Sequence, residues 1–191
     1  MKSDSLKGGR IMTFKLSITE LANRIDHTLL KADAKNEGFE KLCQEANEYG
    51  FKMVAIKSAP VALCSALLKD SPVHVGAAIG FPLGQTTIAT KVFEVTDAIK
   101  NGADEIDYVI NISELKDGNI AYIEQEMKEI VAVCQAQNVL SKVILENCYL
   151  TNAEKVVVCE IAKRVKPTFV KTSTGFGTGG ATVEDVKLMK E

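Results

Sequence analysis

Histidine is scarce in this chain: His27 and His74 are the only two in 191 residues. A catalytic zinc takes several nitrogen or sulfur ligands at characteristic spacing. Two isolated histidines do not supply them, so metal-dependent chemistry is disfavoured. The five cysteines (Cys43, Cys64, Cys134, Cys148 and Cys159) form no CxxC pair, and their odd number suits reduced thiols rather than a disulfide framework. A net charge of only −2 removes bulk electrostatics as a pointer to nucleic acid or an anionic membrane. No apolar run is long enough to span a bilayer, and no apolar signal core opens the chain. The expected location is the cytoplasm. What remains is an ordinary globular composition, 46% hydrophobic and 25% charged, at a length that suits one domain with a sizeable core.

Short apolar runs alternate with amphipathic stretches. "IDHTLL" (25–30), "MVAIK" (53–57), "VHVGAAIGF" (73–81), "EIDYVIN" (105–111), "KVILE" (142–146) and "FVKTS" (169–173) read as strands. Their interiors are nearly continuous Val, Ile, Ala and Leu, which suits strands covered on both faces. Between them, "FEKLCQEANEYG", "TTIATKVFEVTDAIKNG", "IAYIEQEMKEIVAVCQAQ" and "TNAEKVVVCEIAKRV" carry apolar residues at helical spacing. This βα alternation implies a parallel sheet, either open and doubly wound or closed as a (β/α)₈ barrel. Polar residues recur within or at the ends of successive strands: Asp26 and Thr28, Lys57, Asp107 and Asn111, Glu146 and Asn147, Lys171 and Ser173. Convergence of many strands on one mouth favours the barrel. The chain reaches its end in "VEDVKLMKE", so about six βα units are expected here and two strands of a full barrel lie outside it. Residues 1–15 are expected to be a leader or disordered N-terminus, with 1–11 translated leader ahead of Met12 as the natural start, and residues 16–191 the barrel domain, C-terminally incomplete.

"FVKTSTGFGTGG" (169–180) places one charge, Lys171, in a strand-like run and follows it with glycines. A buried, unpaired ammonium is costly. The plain alternative is an ion pair at a strand end; the chemical one is an amine nucleophile. A free lysine titrates near ~10.4, so about one in two thousand is the reactive amine at neutral pH. Burial and a neighbouring cation are the means of raising that fraction. Such an amine forms a Schiff base with an aldehyde or ketone, and the iminium is an electron sink that needs no metal or bound cofactor. Strand alternation puts Glu105, Asp107, Val109 and Asn111 on one face and Ile106, Tyr108 and Ile110 on the other. Asp107 then faces the barrel interior, two strands from Lys171; a carboxylate that merely neutralises a lysine is the competing explanation. The glycines after Lys171 suit either a plain loop or an anion cradle of backbone N–H groups. They are no Walker A loop, because the lysine precedes them.

"IDHTLL", "GAAIGFPLGQTT", "GADEIDYVIN", "KVILENCYL" and "FVKTSTGFGTGGAT", in this order and at these intervals, closely resemble deoxyribose-phosphate aldolase, a class I aldolase family. The resemblance runs from about Leu16 to the end of the chain. It implies a (β/α)₈ barrel and reversible cleavage of 2-deoxy-D-ribose 5-phosphate, a small phosphorylated sugar, without a cofactor and in a homo-oligomer. It further implies that Lys171 is the Schiff-base lysine and Asp107 a proton shuttle. Asp26, Thr28 and Lys142 would line the site, and Thr174 and Gly175 would lie near the phosphate. The sequence departs from the family at Ala55-Ile56-Lys57, where the second strand usually carries Cys-x-Asn. By the same resemblance a second lysine belongs to a Lys-x-Ala-Gly-Gly segment on strand seven, which these 191 residues do not contain. The alternatives are another Schiff-base aldolase of the transaldolase type and an inactive remnant of the family.

Overall fold

A computed structural model describes residues 16–190; the expected leader at 1–15 lies outside them. Six strands run β1 (Asp26–Leu29), β2 (Met53–Lys57), β3 (His74–Ile79), β4 (Glu105–Val109), β5 (Leu140–Ile144) and β6 (Phe169–Lys171). All are parallel, and each is hydrogen-bonded to the next in chain order. The helices are α1 (Ile18–Ala22), α2 (Asn36–Tyr49), α3 (Val61–Leu67), α4 (Ile88–Lys100), α5 (Ile112–Lys116), α6 (Ile120–Ala136), α7 (Asn152–Val165) and α8 (Val183–Lys190).

Their ends follow from local chemistry. In α2, Phe39, Leu42, Cys43 and Ala46 form the buried stripe, and Gly50 closes the helix at φ 67°, a left-handed geometry that glycine adopts without strain. At α7, Thr151 and Glu154 form a reciprocal capping box, satisfying backbone donors that the first turn leaves open. The strand alternation read for β4 holds. Ile106, Tyr108 and Ile110 join Val54, Ile56, Val75, Ile79, Val143 and helix residues such as Met127 and Ile130 in one apolar core between sheet and helices.

The other face of the sheet is curled inward. Lys142 Nζ on β5 lies 3.3 Å from Met53 Sδ on β2 and 3.5 Å from Asp26 Oδ2 on β1. In a flat sheet, four strand spacings of about 4.8 Å would hold β1 and β5 roughly 19 Å apart. A Cβ on Gly76 would stand 2.3 Å from Met53 Sδ, so glycine there lets the methionine fill the interior.

Only β2 keeps the bounds read from the sequence; β1, β3 and β4 are shorter than read, ending at Leu29, Ile79 and Val109, and β5 and β6 also end early. β5 begins at Leu140 and ends at Ile144, because the chain turns out of extended geometry at Glu146, φ 56°. β6 ends at Lys171, so Ser173 belongs to the following loop. Behind β4, Lys91 of α4 and Glu126 of α6 form a fully buried pair at 2.6 Å. Lys91 also donates to the Val109 carbonyl at 2.7 Å, and Glu126 accepts from the Asn111 N–H at 3.0 Å. Burial pushes the lysine's pKa down and the carboxyl's up, each against the attraction of the other. The pair fastens two helices to the end of the strand that carries Asp107.

Candidate active site

Asp26, Asp107, Lys142 and Lys171 converge on the inner face of the sheet. Lys171, the last residue of β6, donates from Nζ to Asp107 Oδ2 at 2.7 Å. Asp107 neighbours Lys142 in register, and Lys142 Nζ lies 3.3 Å from its Oδ1. That contact lacks hydrogen-bond geometry, and Oδ1 accepts no hydrogen bond among the described residues. Asp107 is therefore a buried carboxylate between two lysines, with one oxygen that accepts no hydrogen bond and is itself shielded from solvent. Its other register neighbour is the small Ala78. The Lys171 side chain is 33% exposed, whereas that of Asp107 is 5%.

Lys142 also donates to Glu105 Oε2, a contact across the same strand pair. Burial works against its charge, but Asp107, Glu105 and Asp26 together prevail and hold its pKa above that of an ordinary lysine. It is a cation at neutral pH. Burial likewise pushes the Asp26 carboxyl up; Lys142 and Lys171 pull it down, and burial wins with help from Asp107 and Glu105. Thr28 shares the alternation of Asp26 and donates to the Asp26 carbonyl at 2.8 Å. Lys57, the unexpected charge on β2, donates to the carbonyls of Lys31 at 2.9 Å and Ala32 at 3.3 Å, tying down the loop after β1.

The glycine-rich loop after β6 is held from beneath. Glu146, buried at the end of β5, accepts from the Thr174 N–H at 3.1 Å and from the Thr174 hydroxyl. The same hydroxyl accepts from Phe176 N–H at 3.0 Å. Thr174 is thus a brace of the loop, with its polar groups engaged. Gly175 has φ 86°, and a Cβ there would meet nothing within 4 Å, so its backbone borders open space. Phe176 packs edge-on against Phe81, with ring centroids 5.5 Å apart, joining the loops after β3 and β6. These rings border a cavity of about 370 Å³ that also touches Leu30, Lys57 and Ala78.

The structure brings Lys171, Asp107, Lys142 and Asp26 into one cluster, with Thr174 and Gly175 in the adjoining loop. Sequence reasoning placed Glu105 on the correct face but gave it no role, and it passed over Glu146 as one more polar strand-end residue. The available signal was a carboxylate beside an apolar strand residue, Ile106 for Glu105 and Leu145 for Glu146.

A family model described as DeoC/LacD family aldolase matches residues 21–191. A deoxyribose-phosphate aldolase of Lactobacillus acidophilus is 57% identical over 176 residues, covering 92% of this chain and 74% of that protein. One from Bacteroides thetaiotaomicron is 54% identical over 175 residues, with coverage of 92% and 74%. Among solved structures, a tetrameric deoxyribose phosphate aldolase from Aeropyrum pernix is similar with a TM-score of 0.84 at 31% identity, over 91% of this chain and 72% of that one.

Proposed function

The chain belongs to the DeoC/LacD family of aldolases, and on that premise we propose that Lys171 and Asp107 carry out the reversible cleavage of 2-deoxy-D-ribose 5-phosphate to D-glyceraldehyde 3-phosphate and acetaldehyde. The amine form of Lys171 adds to the C1 aldehyde of the open-chain sugar, and loss of water gives an iminium. Asp107, hydrogen-bonded to Lys171 at Oδ2 and unpaired at the buried Oδ1, takes the C3 hydroxyl proton once the sugar is seated against it. The C2–C3 bond breaks, its electron pair moves into the iminium as an enamine, and glyceraldehyde 3-phosphate leaves. The enamine takes a proton at C2; water then releases acetaldehyde and restores the amine. The iminium supplies the electron sink, so the scheme calls for no cofactor.

Lys142 sets a positive charge 3.3 Å from Asp107 Oδ1, and Asp26 and Thr28 line the sugar end of the site. The backbone N–H groups from Gly175 onward receive the 5-phosphate, braced by Thr174 on Glu146. The family assignment favours a homo-oligomer, and a substrate of deoxynucleoside breakdown favours the cytoplasm; no helix among the described residues is long and apolar enough to cross a membrane.

The observation that carries this reading is the 2.7 Å Lys171–Asp107 contact at an accessible mouth. Borohydride reduction in the presence of acetaldehyde tests it. Peptide mapping should find the reduced adduct on Lys171. An adduct on Lys142 or Lys57 with Lys171 unmodified would overturn the assignment.

A further inference from the structure

We propose that His74, the first residue of β3 and at the opposite end of the strands from Lys171, is a positioning residue for this reaction: through Glu105 it fixes Lys142 and so leaves Asp107 to Lys171. The inference rests on the reading of Lys171 and Asp107 given above.

A continuous line of polar groups crosses the inner face of the sheet. Lys52 Nζ lies 3.2 Å from His74 Nε2, and His74 Nδ1 lies 2.6 Å from Glu105 Oε1. Glu105 Oε2 accepts from Lys142, which lies beside Asp107 Oδ1, and Asp107 Oδ2 accepts from Lys171. The proton on the imidazole is located by elimination. An ammonium has donors and no acceptor, so the Nε2 that faces Lys52 presents a lone pair. Nδ1 therefore carries the hydrogen and donates it to Glu105. Besides Lys52 and Glu105, the carboxylate at this end of the sheet is Asp104, which is occupied in accepting the Val75 N–H at 2.9 Å.

Glu105 is only 2% exposed, and both of its oxygens are engaged, one by each partner. A carboxylate pinned at Oε1 cannot swing, so Oε2 holds the Lys142 ammonium at one point. Without that pin, Lys142 turns to the nearest unpaired acceptor, the buried Asp107 Oδ1 at 3.3 Å. That is the oxygen the mechanism needs free for the substrate hydroxyl. Losing the imidazole donor therefore slows turnover and spares substrate affinity, because the glycine-rich loop is held separately by Glu146.

Two measurements test this. With only two histidines in the chain, ¹⁵N-histidine NMR of the unaltered protein at pH 8 resolves both rings, and His74→Asn identifies the signal of His74. The proposal expects His74 protonated on Nδ1 and bare on Nε2; the reverse tautomer overturns it. In steady-state kinetics, His74→Leu should lower kcat about tenfold or more, the scale of one lost hydrogen bond to a buried charge, with KM changed less than about twofold. His74→Asn, whose amide nitrogen can stand where Nδ1 does, should recover kcat to within about threefold of the parent. Equal losses in the two variants, or a loss in KM alone, would overturn the proposal. Absence of any Lys171 adduct in the parent would instead remove the aldolase reading itself.

Discussion

Asp107 serves two lysines, and what each takes from it differs. Lys171 has a hydrogen bond at Oδ2, whereas Lys142 contributes charge without a hydrogen bond at Oδ1. Replacing Asp107 by Asn keeps the size and one acceptor oxygen but removes the base. Asp107→Asn should lower kcat at least tenfold, since proton transfer by a positioned side chain is typically worth ~10²–10⁴. The circular dichroism spectrum should remain that of the parent. Near-parent turnover would reduce Asp107 to a counter-ion. Lys171 and Asp107 were legible in the sequence because each is a charge set in an apolar strand, where ordinary packing gives no reason for one. His74 was not legible. It acts through Glu105, and that contact depends on the β3–β4 register, with Gly76 opposite Glu105, which no local pattern records.

At the scale of elements, Glu146 couples the end of β5 to the loop after β6. A Cβ on Gly177 would stand 3.2 Å from the Glu146 carboxyl carbon and 2.6 Å from Cys148 Sγ, so loop and carboxylate are closely fitted. Glu146→Leu roughly keeps the volume but removes both acceptor oxygens, leaving the Thr174 N–H and hydroxyl without their partner. The loop should loosen, raising KM for deoxyribose 5-phosphate about tenfold while leaving kcat/KM for unphosphorylated deoxyribose within about twofold. Equal effects on both sugars would show that Glu146 does not act through the phosphate loop. Periodicity revealed the six strands and the long helices because each buries a regular apolar stripe. It failed at α1, α3 and α5, helices of five, seven and five residues, which are too short to show a period. It also misplaced β5 by two residues, since Leu145 and Glu146 continue the strand pattern in sequence while the backbone at Glu146 has already turned.

For the molecule as a whole, the curled sheet has two lateral strands, β1 and β6, which do not pair with each other among the described residues. β6 is hydrogen-bonded to β5 on one side, and its Phe169 and Val170 are 50% and 36% exposed. Val170 points to the helix side and, with Met189 of α8 and Ala162 of α7, lines a groove of about 280 Å³. An edge of unpaired backbone groups flanked by apolar side chains is a template for pairing with another strand. These 191 residues expressed on their own should therefore associate with copies of themselves in a concentration-dependent way, visible by sedimentation velocity. A charge on an edge strand opposes such pairing, so Val170→Lys should shift the distribution toward the monomer. Strand alternation puts Val170 on the face opposite Lys171. The substitution therefore leaves the Lys171–Asp107 contact untouched, and borohydride trapping at Lys171 should persist. A parent chain that is monomeric at all concentrations, or association unaffected by Val170→Lys, would show that the β6 edge is not the surface through which the molecule assembles.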